Sequence, residues 1–452
     1  MDSFIHSAST FLDRPGFDWK ALIIGFSTVN FVFESYLKWR QIRTVTANGD
    51  KVPKELEGKI DSKTAIKSTN YSISKLKFSL VSSFYSLAQN VLAYKYDLLP
   101  KLWGVAGNFM AKLVGHHILP VAMSGVITHS LFFSGIITLL STVLGLPLGY
   151  YNTFVLEEKY GFNKSTPKLW ISDLVKGLLV GVVVGGPILA GFLKIIDYFG
   201  DQFMYYLSIF MGVVQIFLII IYPKFIQPLF NKLTPLEDGE LKSSIEKLAS
   251  QNKFPLDKLY VIDGSKRSSH SNAYFMGLPW GSKQIVLFDT LIEQCSVRQV
   301  VGVLGHEIGH WALSHTTKLL AINQFHMFWI FTFFAAFVKN NSLYQSFGFT
   351  SEQPIIVGFM LFSDILGPVD SILEFAMSLL SRTYEYQADE YSTKLGYGDD
   401  LKESLISLNK ENLGSLVVDW LYSAYTYDHP HLVERLKNID RLEEELASEK
   451  KD

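Results

Sequence analysis

Val303-Leu304-Gly305-His306-Glu307-Ile308-Gly309-His310-Trp311 carries the pattern H-E-x-x-H inside an apolar, helix-compatible run. On a helix, positions i and i+4 project from one face. His306 and His310 are therefore expected to converge on one ion, with Glu307 reaching the water bound to it. That is the spacing of a zinc peptidase helix, with Glu307 as the base that activates the zinc-bound water. A helix with two merely hydrogen-bonded histidines is the competing reading, since H-E-x-x-H arises by chance in about one chain in a hundred of this composition.

A hydrolytic zinc needs a third protein ligand and an open fourth position. The metzincin pattern would put a histidine six residues after His310. That position is Thr316, and His315 misses the register by one, so His315 reads as a helix-end or interfacial residue. Further on, Ser381-Arg382-Thr383-Tyr384-Glu385-Tyr386-Gln387-Ala388-Asp389 offers two carboxylates at i and i+4. Glu385 is expected to bind the metal and Asp389 to accept the free N–H of a ligating imidazole. Attack on a peptide carbonyl forms an oxyanion that usually needs one more donor besides the metal. His429, in Tyr427-Asp428-His429-Pro430, with Arg435 nearby, is the candidate.

The chain around these motifs has the composition of a membrane protein. Of 452 residues, 48% are apolar and 14% aromatic, and mean hydropathy is above zero, more apolar than most soluble domains. Formal charge is close to neutral and Lys and Arg fall mostly between apolar blocks, so nucleic acid is not an expected partner. The lone Cys295 excludes a disulfide framework and a thiolate metal site, and it reads as a buried thiol rather than a nucleophile. The first twenty residues carry Asp2, Asp13 and Asp18 and do not read as a cleaved signal peptide.

Apolar stretches near 21–37, 78–98, 117–148, 174–196, 204–222, 319–338 and 355–380 are each long enough to cross a hydrocarbon core of about 30 Å. The expected fold is therefore mainly α, with about seven transmembrane helices. The second stretch is interrupted by Gln89, Lys95 and Asp97, and an interfacial amphipathic helix is its alternative. Lys and Arg crowd segment 38–77, which sets the N-terminus on the far side of the membrane and the C-terminus in the cytosol. Four regions are expected: a membrane region 1–222, a cytosolic peptidase unit 223–318, spans 319–380 and a cytosolic part 381–452. The unit 223–318 reads as an amphipathic helix after Pro235-Leu236-Glu237-Asp238, followed by short strands at 259–262, 272–275 and 284–288. The end of the chain, from His431, reads as a solvated amphipathic helix.

The chain resembles the membrane CAAX prenyl proteases of type 1, gluzincin metallopeptidases of fungi and animals. Besides both metal motifs and His429-Pro430, the resemblance rests on Phe154-Val155-Leu156-Glu157-Glu158-Lys159-Tyr160-Gly161-Phe162-Asn163-Lys164. It rests also on Asp263-Gly264-Ser265-Lys266-Arg267-Ser268-Ser269-His270-Ser271-Asn272-Ala273-Tyr274-Phe275. It implies a hollow barrel of seven spans around a water-filled chamber, in the endoplasmic reticulum and inner nuclear membranes, with the peptidase site on the cytosolic side. It implies one Zn2+ held by His306, His310 and Glu385, with Glu307 as acid and base. His429 and Arg435 would then lie at the transition state and the substrate carboxylate, and Asn272 and Ala273 on an edge strand that pairs with the substrate backbone. The implied partners are prenylated CaaX proteins, which lose their last three residues, and in fungi a mating-pheromone precursor cut near its N-terminus. Gly305 stands where the family usually has Ala, a change expected to be harmless, and Asp428 stands where Ser is commoner, adding negative charge beside His429.

Two other readings remain at this stage: a quality-control membrane zinc protease, which needs fewer spans, and a non-catalytic membrane scaffold with a structural zinc. The sequence does not specify an oligomeric state. The tail Glu449-Lys450-Lys451-Asp452 gives only weak support to a retrieval signal.

Overall fold

The computed structural model describes residues 2–49 and 51–449, so Lys450 to Asp452 of the tail lie outside the described residues. The chain is mainly helical with one small sheet. Helices Trp19–Asn48, Ser62–Lys95 and Pro167–Val180 start on side-chain caps: Asp18 accepts from the Ala21 amide at 2.9 Å, Asp61 from Thr64 at 3.0 Å and Thr166 from Leu169 at 3.2 Å.

Three helical runs among the described residues are long and apolar enough to cross a membrane: Val126–Tyr160, Pro167–Phe230 and Ile355–Glu411. The second is a hairpin. It reverses at Gly200 (φ +53°), a left-handed position that favours glycine, so that Gly186–Phe199 and Phe203–Ile221 pack side by side. The stretches 21–37, 78–98 and 319–338 lie largely in helices Trp19–Asn48, Ser62–Lys95 and His315–Ala335, which are more polar. Asn30 Nδ2 donates to Glu34 at 3.2 Å, and Lys38 lies 3.5 Å from Glu34 and donates to Ser83 at 2.9 Å. These polar groups satisfy one another, within helix Trp19–Asn48 and, through Lys38 and Ser83, across to helix Ser62–Lys95.

The stretch 117–148 is not one helix. Helix Leu98–Gly115 ends at His116, His117 takes a positive φ of 56°, and Pro120 lacks the amide that a continuing helix needs; the next helix starts only at Val126. Pro147, by contrast, is accommodated inside Val126–Tyr151.

The sheet has the order β1-β2-β4-β3, with β1 Leu233–Pro235, β2 Leu256–Ile262, β3 Ala273–Met276 and β4 Lys283–Phe288. β2 and β4 are parallel and the outer pairs antiparallel, which leaves β3 as an edge. Only β1 has no counterpart among the expected strands. The sheet packs on the histidine helix Val297–Ala312 through Leu259, Ile285, Leu287, Val300, Leu304 and Ile308, and Cys295 lies half-buried at the margin of this core. A second core, at the opposite end of the membrane helices, joins Trp19, Trp103, Phe133, Phe203, Phe334 and Phe362. A third docks Leu56, Ile60 and Ala65, from the basic segment, on Leu416, Leu432 and Leu436 near the C-terminus.

Candidate metal centre and peptide edge

The histidine helix opens with a capping box. Ser296 Oγ accepts from the Gln299 amide, and Gln299 Oε1 accepts from the Ser296 amide at 2.8 Å. Gly302, Gly305 and Gly309 line the face turned to helix Ile355–Ser392, the carboxylate helix, and to the turns that follow it. A Cβ on Gly309 would lie 3.0 Å from Tyr391 Cβ and 3.1 Å from Ala388 Cα, and one on Gly305 only 2.8 Å from Ser392 Oγ. The helices thus meet backbone to backbone. The missing methyl at Gly305, expected to be neutral, is in fact space that Ser392 fills, its hydroxyl donating to the Gly302 carbonyl at 2.9 Å.

This close approach brings the two motifs together. His306, His310 and Glu385 each present one donor atom, all within 4.8 Å of one another. His310 Nε2 lies 3.2 Å from both His306 Nε2 and Glu385 Oε1, and His306 Nε2 lies 3.4 Å from Glu385 Oε2. Glu385 Oε2 is buried and accepts no hydrogen bond. A buried carboxylate oxygen without a donor, facing two imidazole nitrogens, fits a divalent cation with nitrogen and oxygen ligands. The charges agree: Glu307, Glu385 and Asp389 against the single buried guanidinium of Arg435 leave a negative excess.

Behind His306, its Nδ1 donates to Asp389 Oδ1 at 2.8 Å. Asp389, fully buried, is held by Arg435 through Nε at 2.9 Å and Nη2 at 2.5 Å. Arg435 is therefore turned to Asp389, with Nη2 also 3.3 Å from His306 Nδ1, and its Nη1, 3.5 Å from Glu385 Oε2, faces the donor cluster. Burial works against charge on His306, but its hydrogen bond to Asp389 and the Glu385 carboxylate beside it outweigh it and raise its pKa to about 9. Burial pushes the Glu307 carboxyl above the ordinary glutamate value, partly offset by His306 and His310. Glu307 makes no ion pair or hydrogen bond among the described residues, which leaves its carboxylate free to take a proton.

His429 comes from the turn between helices Trp420–Thr426 and Leu432–Glu449. Its Nε2 lies 3.3 Å from Glu385 Oε1, its Nδ1 is 2.8 Å from Asp428, and 58% of its side chain is exposed. On the other flank, the Asn272 carbonyl accepts from the Phe288 amide at 3.1 Å, and Ala273 pairs opposite Leu287. The antiparallel alternation then turns the backbone groups of Ala273 and Phe275 to the free edge. Asn272 Oδ1 accepts from the Ala273 amide at 2.8 Å. A cavity of 370 Å³ joins this edge to His310 of the donor cluster, lined by Phe275, Gly277, Lys283, His310, Trp311 and Thr316. The buried Lys283 ammonium donates to the carbonyls of Leu278, Pro279 (3.3 Å) and Gly281 (3.0 Å), fixing the turn that closes it.

Sequence reasoning placed His315 at a helix end or interface. It does begin helix His315–Ala335, but it is 1% exposed and lies against His310. Its role was hidden because Leu313 and Ser314 break the helix and reset the register.

The two segments 154–164 and 263–275 meet across the fold. Asn163 bridges Ser268, the Ser269 amide donates to the Phe162 carbonyl at 3.2 Å, and His270 stacks on Phe162 at 4.2 Å.

Residues 41–232 match the family model described as CAAX prenyl protease N-terminal, five membrane helices, and residues 235–443 match peptidase family M48. The CAAX prenyl protease 1 of Saccharomyces cerevisiae is 50% identical, over 96% of this chain and 98% of that protein. The CAAX prenyl protease 1 homolog of Homo sapiens is 38% identical, over 93% and 95%. The crystal structure of S. mikatae Ste24p superposes with a TM-score of 0.88 at 51% identity, covering 95% of this chain and all of that one. With a donor set suited to a metallopeptidase and both halves of the chain matched, the protein belongs to the CAAX prenyl protease 1 family, within peptidase family M48.

Proposed function

We propose that the protein is a zinc metalloendopeptidase that removes the aaX tripeptide from prenylated CaaX proteins. The observation that carries this reading is the orphaned Glu385 oxygen facing His306 and His310 beside the free edge of β3. The substrate tail lies extended against β3, its backbone pairing with Ala273 and Phe275, with Asn272 at the end of the strand. Zinc held by His306, His310 and Glu385 supplies Lewis acidity. Glu307 takes a proton from the attacking water and returns it to the leaving amine. His429 Nε2–H, held toward the ligands by Asp428, donates to the carbonyl oxygen as it becomes anionic. Asp389 fixes the His306 tautomer. Arg435 anchors Asp389 and turns Nη1 to the side where a substrate carboxylate would bind.

Residues 223–318 and 381–452 form the peptidase unit in this reading, on a membrane part made of 1–222 and 319–380. The polar ties among Asn30, Glu34, Lys38 and Ser83 support a seven-pass barrel with a wet interior. The basic segment 38–77 supports a cytosolic site, a lumenal N-terminus and residence in the endoplasmic reticulum membrane, with the inner nuclear membrane a second location. The resemblance of the sequence motifs to the fungal members of the family extends the reading to an N-terminal cut in a pheromone precursor.

The test measures zinc content and cleavage of a farnesylated CaaX peptide by purified protein, wild type beside Glu307→Gln. One zinc per chain with cleavage lost only in the variant supports the reading. Zinc without cleavage in the wild type points to a scaffold, and cleavage of unfolded membrane proteins but not the prenylated peptide points to quality control.

A further inference from the structure

His315 carries no part of the mechanism above, yet it is the most enclosed polar ring near it. Its Nδ1 lies 3.0 Å from His310 Nδ1 and its Nε2 lies 2.9 Å from Gln387 Oε1. Its ring stacks on Tyr384 at 4.1 Å with the planes 6° apart. Ser314, left-handed at φ 58°, turns the chain back after the histidine helix and swings this ring behind His310. Gln387 and Tyr384 both belong to the helix that carries Glu385, so His315 ties the end of one motif to the other.

The hydrogen bonds fix where the protons lie. His310 turns Nε2 to Glu385 and His306, so Nε2 is its ligating atom and Nδ1 carries hydrogen. Nδ1–H has His315 Nδ1 as its acceptor, which must then be unprotonated. The His315 proton lies on Nε2 and is donated to the Gln387 carbonyl oxygen. His315 cannot reach the metal itself, because it sits on the side of the His310 ring away from Nε2. The two ligand histidines are thus backed differently, His306 by a carboxylate and His310 by a neutral imidazole.

We infer that His315 is a positioning residue for His310: its Nδ1 accepts the His310 Nδ1–H, fixing the tautomer and ring angle with which His310 binds the metal. This rests on the proposed metal centre.

The test is zinc affinity of the full chain in detergent, by competition with a chromophoric chelator, together with the thermal midpoint of zinc-stripped protein. Three proteins are compared: wild type, His315→Phe, which keeps a stacking ring but has no acceptor, and His315→Asn, whose Oδ1 replaces Nδ1 as acceptor. The expected result for His315→Phe is zinc affinity lowered by about 10- to 100-fold with an unchanged metal-free midpoint. His315→Asn is expected to stay within about threefold of wild type, as restored hydrogen bonding to the ligand requires. Wild-type affinity in His315→Phe, or equal losses in both variants, overturns the inference. If His315→Phe does not fold, Gln387→Leu serves instead. It removes the acceptor that fixes the His315 tautomer and should weaken zinc binding, and unchanged affinity there overturns the inference as well. A wild type that binds no zinc overturns the metal centre itself, an outcome distinct from failure of His315 alone.

Discussion

Arg435 grips Asp389 with two nitrogens, at 2.9 and 2.5 Å, behind His306, and 46 residues of chain separate the two. Each side chain is buried, so neither charge tolerates the loss of the other. Arg435→Ala should lower stability by about 3–5 kcal/mol, the usual result of orphaning a buried charge. Asp389→Asn should cost less in folding but weaken zinc binding by about tenfold or more, because His306 loses a charged acceptor. Thermal unfolding with and without zinc separates the two effects.

Gly309 and Gly305 should differ in their response to a methyl group. At Gly309 the new Cβ meets Ala388 Cα at 3.1 Å and Ala388 O at 3.3 Å, which move only with the helix. At Gly305 it meets the Ser392 hydroxyl, which can rotate away after giving up its bond to Gly302. Gly309→Ala should cost about 1–3 kcal/mol and loosen zinc binding, and Gly305→Ala should cost less. Equal midpoints for the two variants would contradict this order.

Glu157 lies at the root of the strap that leads into β3. Tyr71 donates to its carboxylate at 2.9 Å, and His270 Nε2 stands 3.7 Å away, with its own Nδ1 on Asn412 Oδ1 at 3.0 Å. Replacing Glu157 by Ala frees the turn before Asn272 without touching the metal ligands. Initial rates with a prenylated peptide should show KM raised severalfold and kcat nearly unchanged, the signature of lost uniform binding.

Asp419 gives a pH dependence. Burial alone would raise its pKa, but Arg40, at 3.0 and 2.9 Å, and the amides of Tyr422 and Leu421 hold it below the ordinary aspartate value. A carboxyl lowered in the folded state adds stability above its unfolded pKa of about 3.9, and that stability is lost as pH falls through the folded value. Asp419→Asn should therefore cost more at pH 7 than at pH 3, read as the difference in thermal midpoint from wild type at each pH.

How much of this was legible follows from what each signal depends on. His306 with His310, and Glu385 with Asp389, are i, i+4 pairs on unbroken helix, so spacing alone carries their geometry. His315 is five residues beyond His310, but a left-handed Ser314 intervenes, and periodicity does not extend across such a break. The apolar run after Gly115 is longer than one span needs and Pro120 points to a tilt or kink, but hydropathy does not register the backbone turn at His117 that ends the helix outright. β1 is three residues long and ends in Pro235, too short for alternation to mark it. The approach of the histidine and carboxylate helices was hidden in two glycines, Gly305 and Gly309, which read in sequence as mere absence of side chain.

If substrates pair with the free margin of β3 as proposed, that edge also sorts them by conformation. A strand can be added there only by a chain whose own amides and carbonyls are not already paired. Helices and the inner strands of a folded protein have none to offer, whereas a disordered terminus has all of its own. On that reading, a body that is already folded would be passed over and its loose end taken, even before any side chain is read.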